Sequence, residues 1–549
     1  MSETRKLRRV ITNLRHGGHA LSQDVYKADP HANAIETLTT VEAVIDDAQP
    51  ADLTLISTPF GYLFDDLEDH YPGAHLPVEP AAAVAAGLKA LGSAMVEQDL
   101  GDADTNSTVP PVYTYWGQFV DHDLTANTDR EDDIGITAAT LEPLPPERVR
   151  RDLRNLRDPA LNLDSLYGNG PAASGGDGEV PYDGDRFVIG KLSEINAGPV
   201  PGADLPRKPD RKALVGDARN DENLIVAQLH LAFLKFHNAV VDQIGEGDFE
   251  RARGLVRRHY QWLCVHDFLK TIADPAVVDG LLDGTITPLY EPRDGKAYMP
   301  LEFSVAAFRF GHSMVRGAYD WNRNFGAPGT FEQVATFEQL FLFTGGGGLA
   351  GLPTLPDNWP CEYERLTDFE AEVPGFPARA ARKIDTLLSP PLADLANDGN
   401  GDLPPRIARL LKRLAVRNLI RGYRLAIPTG QSVAGALGIP PLTSAELLGR
   451  DQRVSDALID GGFVKETPLW FYVLREAEVG GGNRLGAVGS RIVCETIIGQ
   501  LRADPDSYLN EEGGVWSPAD GVRLDLNGEQ VEIDSIVRFL QFAGVHRLV

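Results

Sequence analysis

The segment Tyr115-Trp-Gly-Gln-Phe-Val-Asp-His-Asp-Leu124 sets an amide, an imidazole and two carboxylates inside an apolar stretch. At about 100° per residue of α-helix, Gln118, Asp121 and His122 share a sector of roughly 100°, and Asp123 points about 160° away from Asp121. Charged groups on an apolar helix are costly to bury unless they are paired or ligated. A surface helix with a solvated cluster is the plain alternative. Tyr115, Trp116, Phe119 and Val120 on the same two turns argue against it, because they must be covered as well. The chain has to enclose a helix that carries a polar face.

The rest of the sequence can supply the cover. Its 549 residues, with 43% hydrophobic and 24% charged side chains, have the composition of an ordinary globular protein. The longer apolar patterns have helical period, over 112–124, 223–244, 302–317, 405–423 and 534–542, and strand signals are sparse. In 223–244 the stripe runs through Ile225, Leu229, Ala232, Phe233, Phe236 and Val240. The expected fold is mainly α, a single large helical domain with few short strands. Residues 1–50 read as an N-terminal extension, partly irregular, with a solvated basic cluster at Arg5, Lys6, Arg8 and Arg9; residues 51–549 read as the main folded domain. The Gly-, Pro- and Asp-rich stretch 168–210 reads as an excursion within that domain.

The formal charge of −27 argues against a nucleic-acid partner, which needs a basic stripe. No run of about 18 apolar residues is present to span a membrane, and the N-terminus lacks the apolar core of a secretory signal. Cytoplasmic placement is the default expectation, and a monomer is expected. Cys264, Cys361 and Cys494 form no CxxC, so neither a disulfide framework nor a thiolate zinc site is expected.

Two further segments carry candidate chemistry. In Phe308-Arg-Phe-Gly-His312, one apolar stripe (Phe303, Ala307, Phe310, Met314) and a second (Val305, Phe308, Val315) put His312 on a helix buried from two sides. A core histidine satisfied by a backbone carbonyl is the alternative to a metal ligand. In Gly216-Asp-Ala-Arg219-Asn-Asp-Glu222, Arg219 and Glu222 are three apart and can share a face if the helix starts early, with Asn220 or Asp221 as its N-cap. An acidic helix start is the plain alternative there. Other signals are weaker. Gly346, Gly348 and Gly351 match GxGxxG but lack the strand that a dinucleotide site needs. Asp398-Gly-Asn-Gly-Asp402 lacks the Gly and Glu of a calcium loop and reads as a polar turn. His230 and His237 read as structural.

Taken together, these segments resemble the animal-type haem peroxidases of the peroxidase–cyclooxygenase superfamily. WGQFVDHDL at 116–124 resembles the family's distal helix, GDARNDE at 216–222 its distal arginine motif and FRFGH at 308–312 its proximal histidine motif. Asn418-Leu-Ile-Arg421-Gly422 resembles the Asn-x-x-Arg-Gly element, and Asp158-Pro-Ala-Leu-Asn162-Leu-Asp164 the calcium loop. The five occur in the family's order over roughly residues 100 to 425. The resemblance implies haem b held between a distal and a proximal helix, with His312 on the iron and the Asn418 side-chain carbonyl fixing its ring. It implies His122 as acid–base group, Arg219 as the stabiliser of developing charge, and Gln118 as the group that orients peroxide or a halide.

Arg309 and Arg421 become candidates for the haem propionates, and Asp121 and Glu222 for ester bonds to haem methyl groups. Ca2+ would be held by Asp123, Asp158, Asn162, Asp164 and a carbonyl near Ala160. The implied activity is reduction of hydrogen peroxide with oxidation of halide, pseudohalide or small aromatic donors. Arg309 stands where cyclooxygenases carry a radical tyrosine, which weighs against the alternative of fatty-acid dioxygenation. Asn223 stands where a sulfonium-forming methionine occurs in the family. The lack of disulfides and of a signal suits a bacterial relative. An HD-type metal-dependent phosphohydrolase, on His122-Asp123 and His266-Asp267, is the other alternative, and it leaves FRFGH unexplained.

Overall fold

The computed structural model describes residues 58–548 with their side chains, apart from 66, 72, 99–104, 127–134, 137, 139, 169, 172–179, 294, 332, 369–375, 396–404 and 512–513. The side chains of Arg5, Lys6, Arg8 and Arg9, the Asp398–Asp402 turn and part of the 168–210 stretch lie outside the described residues. Before residue 58 the backbone pairs Arg5–Arg15 antiparallel to His19–Ala28.

The protein is mainly α. Its main helices are α1 (Ala81–Ala94), α2 (Pro111–Leu124), α3 (Leu224–Ile244), α4 (Phe249–Leu263), α5 (Leu414–Arg424), α6 (Leu469–Val479), α7 (Ala487–Ala503) and α8 (Ile536–Phe542). Strands are short. Thr58–Gly61 pairs antiparallel with Arg154–Asn155 and parallel with Met299–Pro300, in a register that opposes Phe60 and Met299.

Local sequence explains the ends of the two helices that build the site. α2 begins at Pro111, where a missing N–H costs nothing. It ends where Thr125 turns extended and its hydroxyl bonds back to the Asp121 carbonyl at 2.9 Å. α3 is capped by Asn223, whose Oδ1 accepts the Val226 N–H at 3.0 Å. The expected caps, Asn220 and Asp221, instead belong to a separate 3-10 turn, Ala218–Asp221, capped by Asp217. That turn exists because Asn220 and Asp221 are spent on tertiary partners, described below, and cannot serve the helix.

Both helices are buried nearly all round. Phe119 of α2 stacks on Phe233 of α3 with centroids 4.3 Å apart and rings 6° from parallel, and Trp116 packs on Phe233, Tyr260 and Phe539. Each such aromatic pair contributes about 0.5–1.5 kcal/mol beyond its burial. α3 is long and apolar enough to cross a membrane by length and composition, yet 83% of its most apolar window is buried inside the protein. It is the central core helix.

The 302–317 pattern folds differently from the regular helix expected. A π turn, Glu302–Ala306, passes into a 3-10 segment, Ala307–His312, through Ala306 at φ −123° and ψ −78°. The Arg309 side chain holds the irregular turn by donating to the Ser304 carbonyl at 2.8 Å. The 405–423 pattern likewise divides into Pro405–Lys412 and α5, at Arg413 in an extended conformation. α5 packs closely on α1: a Cβ at Gly92 would lie 2.7 Å from the Val416 nitrogen, so only glycine fits.

Candidate active site

Three chain segments converge on His122: its own helix α2, the turn Ala218–Asp221 and the start of α3. The ring is 2% exposed. Its Nδ1 lies 2.8 Å from Asn220 Oδ1, and Asn220 Nδ2 lies 3.0 Å from His230 Nδ1. With the amide so placed, Nδ1–H donates to Asn220, and the lone pair of His122 stays on Nε2. Burial and the neighbouring Arg219 guanidinium push the His122 pKa below 6.5, while Glu222, Asp217 and Asp121 pull it back. Burial lowers His230 to about 3, so that ring is neutral. His230 bonds to Asn220, which in turn bonds to His122.

A chain of polar side chains begins beside Nε2. Glu222 Oε1 stands 3.7 Å from it. Gln118 Nε2 donates to Glu222 Oε1 at 2.5 Å, and Asn223 Nδ2 donates to Gln118 Oε1 at 3.1 Å. The side chain of Arg219 is fully buried: Nη2 donates to the His122 carbonyl at 2.9 Å and to Asp217 Oδ2 at 2.7 Å, and Nε also bonds Asp217. Its Nη1 is buried with no hydrogen-bond partner among the described residues. A buried charged donor without a partner is expensive. It fits a site that receives an oxygen ligand.

Asp217 is the hub of this side, and the sequence reading missed it. Its carboxylate lies between Arg219 and Arg157, whose Nη2 donates to Oδ2 at 2.5 Å. Burial pushes the Asp217 carboxyl up, but the guanidinium groups of Arg219 and Arg157 outweigh it and hold it well below the usual carboxylate range. Asp221 turns away to Arg207, 2.6 Å from Nη1, and accepts the Gly345 N–H.

On the other side, His312 is 9% exposed, and its Nδ1 lies 2.9 Å from Asn418 Nδ2. The contact between the 308–312 segment and α5 is the expected one, but the amide presents its nitrogen, not its carbonyl, to the ring. The two ends of an amide exchange by a half-turn. As placed, Nδ1 accepts; turned, Oδ1 would take the Nδ1 proton and leave the Nε2 lone pair for a metal. Arg421 is buried one turn beyond Asn418. A Cβ at Gly311 would meet nothing within 4 Å, so open space adjoins the histidine.

One ion pair locks the two sides together. Arg309 Nη1 is 3.3 Å from Asp121 Oδ2, and Thr125 Oγ1 donates to Asp121 Oδ1 at 2.9 Å. Burial would raise the Asp121 carboxyl, but Arg309, His122 and Arg219 bring it below its ordinary value. Asp121 is therefore a paired carboxylate, as the cost of burying it requires. Arg309, a propionate candidate on the sequence, spends its bonds on Asp121 and Ser304. Because Asp121 adjoins His122 and Arg309 precedes His312 by three residues, this pair sets the two histidine-bearing segments against each other. A buried imidazole beside open space, on a segment paired to one that carries a second imidazole near an uncommitted guanidinium N–H, is a donor set suited to a haem iron and its oxygen ligand.

Asp123 points the other way, as its helical position requires. Its carboxylate accepts from Leu163 N at 3.1 Å and from Ser165 Oγ at 3.0 Å, which joins α2 to the 158–168 loop. Burial and then the nearby Asp164 raise Asp123 to about 7, and Arg157 stands 3.5 Å from Asp164. Two carboxylates close together in a buried setting fit a hard cation. Asp158 bonds Asn162, Asn162 accepts from the Asp164 N–H, and the Ala160 carbonyl accepts from Gln261. Among the described residues, however, no three His, Cys, Asp or Glu side chains converge as a metal cluster.

The second HD pair is occupied elsewhere: His266 contacts Tyr508, and Asp267 accepts from Tyr113 and from Ile536 N. All three cysteines are buried and free.

Comparison with known proteins agrees with this geometry. The animal haem peroxidase family model matches residues 191–342, a stretch that holds Arg219, Glu222 and His312. A peroxidase-like protein of Margaritifera margaritifera is 26% identical over 271 residues, 40% of this chain and 33% of that one. A dual oxidase of Drosophila melanogaster is 29% identical over 165 residues, 28% of this chain and 10% of its own. The matches thus span a third and a tenth of those relatives. Among solved structures, peroxidase A from Dictyostelium discoideum aligns with a TM-score of 0.54 at 18% identity, covering 82% of this chain and 88% of its own. A fatty acid alpha-dioxygenase from Oryza sativa gives 0.53 at 16%, covering 83% and 75%. These two show the fold alone.

Proposed function

Because the chain belongs to the animal haem peroxidase family of the peroxidase–cyclooxygenase superfamily, we propose that it is a peroxidase. It would reduce hydrogen peroxide and oxidise halide, pseudohalide or small aromatic donors. The observation that carries this reading is the distal pair: His122 with its lone pair on Nε2 and Arg219 with an uncommitted buried Nη1.

Haem b, when bound, supplies an iron that peroxide can oxidise. His312 and Asn418 would hold it from the proximal side, with Arg421 near its edge. The chain's own residues do the proton chemistry. His122 Nε2 takes a proton from one peroxide oxygen and returns it to the other, which leaves as water. A neutral imidazole is needed at the start, and the low pKa provides it. Arg219 Nη1 donates to the oxygen on which charge develops and never loses its proton. Gln118, tied to Glu222 and Asn223, orients the peroxide or a halide beside them.

Two finer features belong to the same proposal. Asp121 and Glu222 would be the carboxylates for ester links to haem methyl groups, each C–O bond replacing a methyl C–H with peroxide as the two-electron oxidant, and Asp123, Asp158, Asn162, Asp164 and the Ala160 carbonyl would hold a structural Ca2+. The crowding of Asp123 against Asp164 supports the cation, which would relieve it. Arg309 in place of a tyrosine three residues before His312 favours peroxidase over dioxygenase chemistry. The test is the visible spectrum of protein loaded with haem. A Soret band that shifts on adding peroxide is expected, and His312→Ala should abolish the histidine-ligated form. Haem-loaded protein with no Soret response would refute the proposal.

A further inference from the structure

Arg157 lies outside the motifs that point to haem chemistry, yet its side chain is buried against the carboxylate that holds Arg219. Its backbone is pinned from two sides. The Arg157 N–H donates to Asn155 Oδ1 at 3.2 Å, and Thr58 Oγ1 donates to the Arg157 carbonyl at 2.7 Å. Asn155 in turn accepts the Ala126 N–H at 2.8 Å and donates to the Leu124 carbonyl at 2.9 Å, which ties the segment to the end of α2.

The Arg157 guanidinium spans three acceptors. Nε and Nη2 donate to Asp217 Oδ2 at 3.1 and 2.5 Å, Nη2 also donates to the Gly216 carbonyl at 3.2 Å, and Nη1 stands 3.5 Å from Asp164 Oδ1. Arg219 uses the same Asp217 carboxylate. Its backbone N–H and Nε donate to Oδ1 at 2.9 and 3.1 Å, and Nη2 donates to Oδ2 at 2.7 Å. Both oxygens of Asp217 are thus spent, and the carboxylate is not free to turn.

We propose that Arg157 is a positioning residue of the peroxide site: by pinning Asp217, it keeps the Arg219 guanidinium turned so that Nη1 stays uncommitted for the oxygen ligand. The proposal rests on the peroxidase reading of Arg219. One carboxylate shared by two guanidinium groups leaves surplus positive charge on Arg219, whose Nη1 has no hydrogen-bond partner among the described residues. Without Arg157, Asp217 and Arg219 become a neutral pair, and the carboxylate is free to rotate onto Nη1. A lysine would keep the charge and lose the fork, because an ammonium is a point charge that cannot fix the plane of a carboxylate. Arg157 makes no hydrogen bond to His122 among the described residues, so its effect passes through Asp217 and Arg219.

The test uses the haem-loaded full chain and fluoride, which binds ferric haem as a hydrogen-bond acceptor and undergoes no turnover, with affinity read from the visible spectrum. Arg219→Gln should weaken fluoride by about tenfold or more, the scale of a hydrogen bond to a charged group. Arg157→Met should weaken it by about two- to tenfold, and Arg157→Lys by less than Arg157→Met but measurably. In the Arg219→Gln background, Arg157→Met should cause no further loss, because the group it positions is gone. A general loss of packing would instead persist in that background. The stopped-flow rate with peroxide should follow the same pattern. All readings are taken below the unfolding range of the variants, and Arg157→Lys carries the test if Arg157→Met does not fold. Wild-type fluoride affinity in Arg157→Met or, failing that variant, in Arg157→Lys, alongside a weakened Arg219→Gln, would overturn this proposal and leave the peroxidase reading standing. So would an undiminished loss from Arg157→Met in the Arg219→Gln background. Unchanged fluoride affinity and peroxide rate in Arg219→Gln would overturn the role of Arg219, and the role of Arg157 with it.

Discussion

Replacing Asn220 isolates the part of the site that sets the protonation of His122. As placed, the amide accepts the His122 Nδ1 proton at 2.8 Å and donates to His230 at 3.0 Å. Asn220→Leu keeps the shape and removes both bonds. A buried donor left without an acceptor costs about 1–3 kcal/mol. The other tautomer escapes that cost: its proton sits on Nε2 and faces Glu222 Oε1, 3.7 Å away. The productive tautomer therefore falls by a factor of roughly 5 to 150. The bimolecular rate with peroxide, read by stopped flow on haem-loaded protein, should fall by that factor while the Soret band of the resting protein stays in place. Asn220→Asp gives the opposite electrostatic change, since a carboxylate facing Nδ1–H raises the His122 pKa. Wild-type His122 sits below 6.5, so the rate should be flat at neutral pH and decline only on the acid side. In Asn220→Asp that decline should move to higher pH. Unchanged rates and an unchanged profile in both variants would refute the reasoning.

Asp217→Asn leaves Arg157 and Arg219 buried without their shared carboxylate and should cost about 3–5 kcal/mol, seen as a lower denaturation midpoint. Because the folded Asp217 pKa is depressed, its contribution should be complete above the unfolded value of about 3.9 and disappear as pH falls below it, measurable as steep acid unfolding that Asp217→Asn lacks. Prolonged chelation should lower the thermal midpoint of wild type, and Asp123→Asn should abolish that response; protein without bound calcium by metal analysis would contradict it. After peroxide treatment, acid-organic extraction and mass spectrometry should find haem retained, with one link lost in each of Asp121→Val and Glu222→Gln; full release of unmodified haem from treated wild type would rule out the esters.

The helical character of the chain and the polar face of α2 could be read directly, because a 3.6-residue period with Gln118, Asp121 and His122 on one side is a local property. The same arithmetic turned Asp123 away from Asp121, and the resemblance, not the helix period, pointed it to the 158–168 loop. What could not be read is set by contacts across distance. Asn220 and His122 are 98 residues apart, Arg157 and Asp217 sixty, and Arg309 and Asp121 188. Nothing in the local pattern says that Asn220 serves a histidine rather than a helix cap. The cap itself had a local signal: Asn223 is the residue immediately before the apolar run Leu224-Ile-Val-Ala227. The irregular turn before His312 was hidden for another reason. Apolar spacing is the same for π, α and 3-10 turns within a few residues, and the break at Ala306 is stabilised by Arg309 acting through space. The Asp121–Arg309 pair follows from that break and explains why both charges are tolerated in the core.

The central claim is that His122 moves the peroxide proton in a site where His312 holds the haem. Stopped-flow mixing of peroxide with haem-loaded wild type and His122→Ala tests it most directly. The account predicts a slower spectral change in the variant, by about 10²-fold or more, with haem affinity and the resting spectrum unaltered. An undiminished rate in His122→Ala would contradict it.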